Sequence, residues 1–304
     1  MTHSFQRYTA AGNTFVVMNT WEDPLSLSRE SMRAFVRVAC DYKAGIGSDG
    51  VVLVNHSGTG AHFRMDFYNP DGSTGMLCGN GARCAVQAAS DFGYLAEGAR
   101  NHIPFEVLGA KNRADILANG DVRVFFQDPS VVRLDFLLPL ENSVSVPASY
   151  VDLGSQHAVI FFDALARSAA VDGSLDDLDV AYYGPLVRWH SEFAPLGANA
   201  NFIEVREDGD EKFLRIRTFE RGVEGETLAC GTGCMSAAIV ARALGRIPRV
   251  PVRLLTQSGE FVTVAFTLEQ DKVRNLSLSG SVVRGEGGTL TFDEEKRTLD
   301  VVYW

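Results

Sequence analysis

The 304-residue chain has no run of about 18 apolar residues, so the sequence predicts no membrane-spanning helix. Its opening stretch, MTHSFQRYTAAGN, lacks the basic region and apolar core of a secretory signal peptide, and a cytoplasmic protein is therefore expected. The chain also lacks a surplus of basic residues. Its net charge of −10 argues against a nucleic-acid-binding protein, and neither nucleic acid nor a membrane is expected as a partner.

Cysteine is scarce and odd in number, with five residues in all: Cys40, Cys78, Cys84, Cys230 and Cys234. An odd count without an export signal predicts free thiols. The spacings C-x5-C and C-x3-C differ from the C-x2-C pairs typical of zinc sites, and no histidine is close, so no metal site is predicted. We interpret Cys40, Cys84 and Cys234 as small buried hydrophobic residues.

Two of these cysteines stand in similar surroundings. The stretches MLCGNGARC (76–84) and LACGTGCMSAA (228–238) both place a cysteine before Gly-x-Gly and a helix-like run of small residues. Cys78 and Cys230 are 152 residues apart, which is half of the 304-residue chain. Chance similarity of two glycine-rich loops is one explanation, and an internal repeat is the other. The shared cysteine position and flanking pattern favour the repeat.

The hydrophobic pattern gives a similar order of elements in each half. The first half is predicted to contain a hairpin (SFQRY and TFVVMNT around AAGN), helices at 29–40 and 82–92, and strands at 51–55, 62–68, 103–108, 113–117 and 121–126. The second half is predicted to contain the strands AVIFF, NFIEV and KFLRIRTF, a buried apolar helix over 235–245, and a helix near LDVAYYGPLVRWH within an insert at 164–192. Several short strands then close the chain.

These patterns predict an α+β fold of two pseudo-symmetric domains, each a curved, mostly antiparallel sheet or barrel around a central helix. A chain of this length exceeds the usual size of one hydrophobic core, which also favours two domains. We expect the first domain over residues 1–127, joined by the C-terminal strand near 291–304, and the second over residues 128–304.

A Gly-x-Gly sequence at the start of a helix exposes backbone N–H groups to a ligand. The helix N-terminus adds about half a positive charge, which suits a phosphate or a carboxylate. The same field is expected to lower the pKa of a neighbouring thiol. Neither loop has the Lys and Ser/Thr of a P-loop. A disulfide between Cys78 and Cys230 is a further alternative, although a cytoplasmic setting disfavours a structural one.

Two such loops facing one cleft would suit an enzyme that inverts a carbon centre. The carboxylate attached to that carbon would be held by the first N–H groups of both helices: those of Gly79, Asn80, Gly231 and Thr232. A thiolate on one side would remove the α-proton and a thiol on the other would deliver one, with Cys78 and Cys230 in these roles. This chemistry is that of an amino-acid racemase or epimerase that needs neither metal nor cofactor.

The blocks NPDGSTGMLCGNGARC and FERGVEGETLACGTG resemble the two signature blocks of the diaminopimelate epimerase family. Other segments are also similar to motifs of this family: AAGNTFVVMNT, AGIGSDGVVLV, LGSQHAVIF and DVAYYGPLVRWHSEFAPLGANANFIEV. The resemblance covers most of the chain. It implies an isomerase that converts LL- to meso-diaminopimelate in lysine biosynthesis, with two catalytic cysteines, a small amino-acid substrate and no pyridoxal phosphate.

The resemblance also implies roles for individual residues. Cys78 and Cys230 would be the acid–base pair, and His157 and Glu220 would support the substrate and the thiols. Besides the four residues at the helix starts, the substrate would contact Asn13 at its reacting end and, towards its distal end, Asn69, Ser155, Asn199, Glu220 and Arg221. An arginine suits a distal carboxylate because its guanidinium can donate two parallel hydrogen bonds.

Each role has a simpler alternative, and the chain departs from the family pattern. Asn13 and Asn69 lie in turn-like stretches, where asparagine often bonds to the backbone, and His157 would also suit a hydrogen-bonded core. Ser155 and Gln156 replace an Asn-Pro pair of the family motif. A racemase of another amino acid such as histidine, or a non-catalytic amino-acid-binding protein, therefore stays open. The oligomeric state is also open, with a homodimer as one option.

Overall fold

The computed structural model describes residues 2–74, 77–95, 98–141, 144–270 and 272–304. These residues form two compact units. The first unit runs to Phe125 and includes Ser279–Trp304, and the second is Phe126–Leu278. Among the described residues, no helix has both the length and the apolar character that spanning a bilayer requires.

The first unit takes its strands and helices from both ends of the chain. They are β1 (Thr2–Ala10), β2 (Asn13–Asn19), α1 (Arg29–Cys40), β3 (Val51–Asn55), β4 (Phe63–Tyr68), α2 (Gly79–Asp91), β5 (Ile103–Val107), β6 (Ala110–Ile116), β7 (Val122–Phe125), β17 (Val283–Asp293) and β18 (Thr298–Tyr303). The strand β16 (Lys272–Gly280) crosses the boundary between the units. The predicted hairpin is confirmed, because β1 and β2 pair antiparallel from Gln6–Val17 to Ala10–Asn13.

The second unit is continuous in sequence. Its elements are β8 (Val131–Pro139), β9 (Ser145–Asp152), β10 (Gln156–Phe161), α3 (Phe162–Ala169), α4 (Val180–Arg188), β11 (Asn199–Asp208), β12 (Glu211–Glu220), β13 (Gly225–Thr227), α5 (Gly231–Ala243), β14 (Val252–Leu255) and β15 (Phe261–Glu269). Short 3-10 turns at Leu175–Asp177 and Ser191–Phe193 flank α4. The helix predicted near residue 185 is therefore confirmed as α4.

The two units repeat one order of strand pairing. In the first unit, β1/β2 is antiparallel, β2/β3 parallel, β3/β4 antiparallel, β4/β5 parallel and β5/β6 antiparallel. In the second, β9/β10 is antiparallel, β10/β11 parallel, β11/β12 antiparallel, β12/β14 parallel and β14/β15 antiparallel. The helices α2 and α5 occupy matching places, after β4 and after the β12–β13 hairpin. The predicted fold class of two related α+β units is confirmed.

Each unit surrounds its long buried helix with strands. The helix α2 packs on β1, β2, β3, β4 and β7, and α5 packs on β9, β10, β11, β12, β14 and β15. In α5 every residue from Gly233 to Ala241 is buried, as its apolar sequence predicts. The cysteines Cys40, Cys84 and Cys234 are also buried, which confirms their interpretation as core residues.

The two cysteine-capped helices begin earlier than their apolar pattern indicates. The apolar pattern alone gave starts at residues 82 and 235, but α2 begins at Gly79 and α5 at Gly231, where the Gly-x-Gly interpretation placed the first helical N–H groups. Glycines carry no hydrophobic signal, although their backbone already forms the first helical turn. By contrast, α1 covers the predicted Arg29–Cys40, because Ser28 caps it by accepting the N–H of Ser31 at 3.1 Å.

Four elements of the second unit were not predicted. They are β8, β9, α3 and β13. β8 pairs with β9, yet its residues are exposed on both faces apart from Phe136 and Leu138, so no apolar–polar alternation marks it as a strand. A bulge near Asp135, which has φ 50°, interrupts the pattern further.

The predicted strand KFLRIRTF is confirmed as part of β12, and although its sequence alternates apolar and basic residues, both of its faces are covered. Arg215 and Arg217 are only 7% and 8% exposed. Arg215 pairs with Asp176 at 2.8 Å, and Arg217 pairs with Glu226 at 2.6 Å. The basic side chains of β12 are therefore buried, and each forms an ion pair with a carboxylate.

One buried group of α5 gives a stability prediction. Ser236 is fully buried, and its Oγ has no hydrogen-bond partner among the described residues. Because a buried unsatisfied hydroxyl costs free energy, Ser236→Ala should raise the unfolding free energy by about 1 kcal/mol. Urea unfolding followed by circular dichroism measures this change.

The matched control is Ser277→Ala. Ser277 is also buried, but its Oγ donates to the carbonyl of Ala265 at 3.2 Å. Its loss should lower stability and leave the Ala265 carbonyl without that donor. Equal destabilisation by both substitutions would contradict the assignment of Ser236 as unsatisfied.

Candidate functional site

In the first unit, Cys78 is the N-cap residue of α2. Its backbone is extended, with φ −83° and ψ 118°, and its Sγ accepts the N–H of Gly81 at 3.5 Å. The side chain is half-buried. The N–H groups of Gly79 and Asn80 belong to the first helical turn, where no preceding carbonyl of the helix can accept them. This end of α2 thus combines a thiol with backbone donors.

A chain of polar side chains orients the residues around Cys78. Arg83 is fully buried, and its Nη2 donates to Asn80 Oδ1 at 2.8 Å. Arginine is only a donor, so the Asn80 oxygen must face it and Asn80 Nδ2 donates to Asn13 Oδ1 at 2.7 Å. The amide nitrogen of Asn13 consequently faces away from Asn80. Sequence analysis missed Arg83, although a charged residue inside a small-residue helix is a visible signal.

Asn69 follows β4 and forms a turn. Its backbone N–H donates to the carbonyl of Ser73 at 2.9 Å, and its Nδ2 donates to Ser73 Oγ at 3.0 Å. Gly72 closes the turn with φ +77°, and a side chain there would strike the backbone of Arg33. The Asn69 side chain therefore bonds to a side-chain hydroxyl of its own turn, and its role in substrate binding stays a prediction.

In the second unit, Cys230 is the matching N-cap residue of α5. Its backbone is extended, with φ −117° and ψ 110°, and the residue is 7% exposed. Burial raises the pKa of the Cys230 thiol well above its usual value, and the negative charge of Glu220 adds to this rise. The hydroxyl of Thr232, 3.6 Å from Sγ, acts in the opposite direction. The expectation of a lowered pKa is wrong for Cys230, because burial outweighs the helix terminus.

Glu220 ends β12 beside this thiol. Its Oε2 accepts from Thr227 Oγ1 at 2.8 Å, which ties the end of β12 to β13. Burial raises the pKa of the Glu220 carboxyl, and the Thr227 hydrogen bond only partly opposes the rise. Cys230 and Glu220 thus both resist ionisation in the same part of the structure.

His157 lies on β10 and is fully buried. Its Nε2 is 2.9 Å from Ser155 Oγ, and its Nδ1 is 3.2 Å from Asn201 Nδ2. The same Asn201 nitrogen donates to the carbonyl of Ala158 at 2.9 Å, so it is an amide nitrogen and Nδ1 is an acceptor. His157 is therefore the neutral tautomer with its proton on Nε2, donating to Ser155. Burial lowers the His157 pKa to about 3.

Asn201 connects this histidine to the start of α5. Its Oδ1 accepts from Thr218 Oγ1 at 3.1 Å. A side chain at Gly233, in the first turn of α5, would overlap this Oδ1. Close packing of Gly233 on Asn201 therefore places the helix terminus against the His157 network. Sequence analysis missed Asn201; the alternating asparagines of NANF are the pattern that marks it.

Arg221 lies near the same strand ends. Its backbone N–H donates to Asn199 Oδ1 at 2.8 Å, and its Nη1 donates to Gln156 Oε1 at 2.6 Å. Among the described residues, no carboxylate forms an ion pair with Arg221, whereas Arg188 pairs with Glu224 at 3.0 Å. Arg221 is half-buried, so it is a fixed cation able to receive a ligand carboxylate.

The contacts sort the sequence-predicted residues into two groups. In the first unit, Cys78, Gly79, Asn80 and Asn13 lie together, and Asn69 forms its own turn. In the second unit, one connected region holds the remainder: Ser155, His157, Asn199, Glu220, Arg221, Cys230, Gly231 and Thr232. That region offers a protonated thiol, a helix N-terminus and an arginine.

The influence of Glu220 on Cys230 is testable by alkylation. Glu220→Gln removes a negative charge, so the Cys230 pKa should fall and its thiolate fraction should rise about tenfold for each pH unit of that fall. Peptide mass spectrometry after timed iodoacetamide treatment at pH 8 measures the modification rate of Cys230.

The control is Glu207→Gln, at the other end of the β11–β12 hairpin, where Glu207 pairs with exposed Lys212. That variant should alkylate at the wild-type rate. An unchanged or slower rate in Glu220→Gln would contradict the electrostatic link.

The neutral, buried His157 predicts acid sensitivity. Its pKa is about 3 in the folded chain and about 6.5 in the unfolded chain. Between these values the unfolded chain binds more protons, so stability falls as the pH drops, by about 2 kcal/mol from pH 6.5 to pH 5. Urea unfolding at pH 5 and pH 7 should show a smaller difference for His157→Gln than for the wild type.

The wild type measured at the same two pH values is the control. If His157→Gln loses stability on acidification as steeply as the wild type, His157 does not carry the effect.

The sequence of the chain is similar to that of known proteins. A sequence profile described as "Diaminopimelate epimerase" matches residues 5–125 and 149–283. The diaminopimelate epimerase of Aquifex aeolicus is 34% identical over 299 residues, covering 94% of this chain and 97% of the relative. That of Chlorobaculum tepidum is 36% identical over 277 residues, covering 91% and 98%.

Solved structures share the fold at low identity. A phenazine biosynthesis protein of the PhzF family from Bacillus anthracis has a TM-score of 0.69 at 15% identity, covering 96% of this chain and all of its own. A hydroxyproline epimerase from Agrobacterium vitis has a TM-score of 0.63 at 15% identity, covering 95% and 92%. The motif-based resemblance is confirmed: this chain belongs to the diaminopimelate epimerase family.

Proposed function

We propose that the protein is an isomerase that interconverts LL- and meso-diaminopimelate by moving one proton at an α-carbon, in lysine biosynthesis. The observation that carries the proposal is the repeated cysteine cap: Cys78 and Cys230 each precede a 13-residue helix at the same place in the pairing order. Family membership supports the substrate, since the curated relatives are named for it.

The reaction needs a thiolate and a thiol on opposite sides of the α-carbon. The thiolate removes the α-proton, and the thiol then donates its own proton to the other face. The carbanion formed between these steps is an enediolate, whose charge lies on the carboxylate oxygens. Backbone N–H groups of Gly79, Asn80, Gly231 and Thr232 are suited to hold those oxygens, and removing one such donor typically costs ~2.7–4 kcal/mol.

The raised pKa of Cys230 supports a role as the proton donor when substrate first binds. A thiol that holds its proton at neutral pH is the acid partner, which leaves the half-buried Cys78 as the base for that direction. In the reverse direction the roles exchange. Glu220 helps to keep Cys230 protonated, so its contribution is electrostatic.

His157 is a positioning residue in this proposal. It is fully buried, and both of its ring nitrogens are hydrogen-bonded, to Ser155 and Asn201. Because Ser155 Oγ accepts the proton of Nε2, its own hydroxyl proton points elsewhere and suits a substrate acceptor.

The distal end of the substrate would bind at Arg221. Its guanidinium pairs with no carboxylate of the described residues, and Asn199 fixes its backbone. Asn69 and Ser155 would add polar contacts at that end, and Asn13 would contact the reacting end.

The division of the chain near residue 127 into two functional halves stays a prediction. We also place the enzyme in the cytoplasm, because free catalytic thiols require a reducing compartment.

Exchange of the α-proton tests the proposal directly. Purified protein incubated with LL-diaminopimelate in D2O should replace Cα–H by deuterium, seen as loss of the proton NMR signal. Cys78→Ala and Cys230→Ala should each lower the rate about 100-fold to 10,000-fold, since each removes an acid–base group.

Cys40→Ala is the matched control. Cys40 is buried in the core around α1 and accepts from Ser48 Oγ at 3.3 Å, so its loss should leave exchange near the wild-type rate. Absence of exchange in the wild type would refute the proposed function.

A second candidate function is racemisation of another amino acid. Ser155 and Gln156, in place of the Asn-Pro of the family motif, favour this alternative because both lie beside the proposed distal site. The same exchange assay with L-histidine separates the two. Faster exchange with L-histidine than with LL-diaminopimelate would reassign the substrate and leave the two-thiol chemistry in place.

A further inference from the structure

We propose that Gln156 is a positioning residue that fixes the direction of the Arg221 guanidinium and thereby sets the affinity for the substrate's distal carboxylate. This rests on the proposed function, which places that carboxylate on Arg221. Gln156 stands where the resembled motif has proline, whose side chain offers no hydrogen-bond acceptor. The contact is therefore a feature of this sequence.

Gln156 is connected to the guanidinium of Arg221 directly and to its backbone N–H through Asn199. Its Oε1 accepts from Arg221 Nη1 at 2.6 Å. Its backbone carbonyl accepts from Asn199 Nδ2 at 2.8 Å, and Asn199 Oδ1 accepts the backbone N–H of Arg221 at 2.8 Å. These three residues close a ring of hydrogen bonds, so the backbone and the guanidinium of Arg221 both take their position from the first residue of β10.

The chemistry of the neighbours fixes which way the Gln156 amide faces. Arginine only donates, so the atom towards Arg221 must be the oxygen. The amide nitrogen then faces Asp152 Oδ2 at 3.4 Å, and the other oxygen of that carboxylate accepts the N–H of Gly154 at 2.8 Å. The end of β9 thus supports the Gln156 side chain, which in turn supports the guanidinium.

A neutral hydrogen-bond acceptor is a suitable partner for a ligand-binding arginine. The amide of Gln156 restrains one N–H of Arg221 without neutralising its charge, and the guanidinium keeps further donors for a carboxylate. A carboxylate at residue 156 would instead form an ion pair with Arg221 and compete with the ligand. The neutral amide therefore combines orientation with availability.

Binding measurements with two ligands test this role. LL-diaminopimelate carries the distal carboxylate, whereas L-lysine has the same skeleton with hydrogen in its place. By isothermal titration calorimetry, Gln156→Leu should weaken diaminopimelate binding about tenfold, because it removes a hydrogen bond to a charged group. Gln156→Glu should weaken binding by more, because its carboxylate would form an ion pair with Arg221 and compete with the ligand. L-lysine binding should change less than about twofold in Gln156→Leu. The exposed Gln127, as Gln127→Leu, is the matched control and should bind both ligands normally.

A double substitution tests whether Gln156 affects diaminopimelate binding through Arg221. In Arg221→Gln, adding Gln156→Leu should weaken diaminopimelate binding no further, because Gln156 acts through the guanidinium. Equal losses for L-lysine and diaminopimelate, or a full further loss in the Arg221→Gln background, would overturn the inference.

The two proposals fail in different ways. If the wild type binds diaminopimelate with the predicted Gln156 dependence but does not exchange its α-proton, the proposed function fails and this inference stands. If exchange is normal and Gln156→Leu leaves diaminopimelate affinity unchanged, the inference alone fails. A wild type that does not bind diaminopimelate overturns both.

Discussion

The second unit depends on one constraint: Cys230 is buried and Glu220 is half-buried near it. Burial disfavours charge on either group, and the charge of Glu220 opposes ionisation of the thiol. The pKa of each group therefore lies above its usual value in water, and the thiol of Cys230 keeps its proton at neutral pH. A helix N-terminus ordinarily favours thiolate, so a proton kept on sulfur there is what would let this cysteine act as the acid of the proposed reaction.

That arrangement persists because the surrounding polar groups have fixed partners. The neutral imidazole of His157, the amide of Asn201 and the hydroxyl of Thr218 form one buried sequence of hydrogen bonds. Buried networks of this kind hold a single geometry when every member is satisfied. Because Gly233 packs directly against Asn201, the same network also fixes the position of the first turn of α5, which follows Cys230.

The sequence was informative where chemistry and periodicity agree. The repeated cysteine blocks and α1 follow from local patterns, whereas β8 did not, since a strand exposed on both faces carries no alternation. Long-range partners were also beyond reach: no spacing rule joins Arg83 to Asn13 through Asn80, or Gln156 to Arg221. The raised pKa of Cys230 depends on burial, which a motif does not encode.

Glu220 and Arg221 are consecutive residues with different tasks, one acting on the thiol of Cys230 and the other available to an anionic end group. Neighbouring Cα atoms are about 3.8 Å apart, and the hairpin and Asn199 restrain both. The Glu220 carboxyl beside Cys230 and the Arg221 guanidinium are therefore linked through adjacent backbone positions. Under the proposed function, this link limits how long a dicarboxylic substrate can be if it is to reach the thiol at one end and Arg221 at the other.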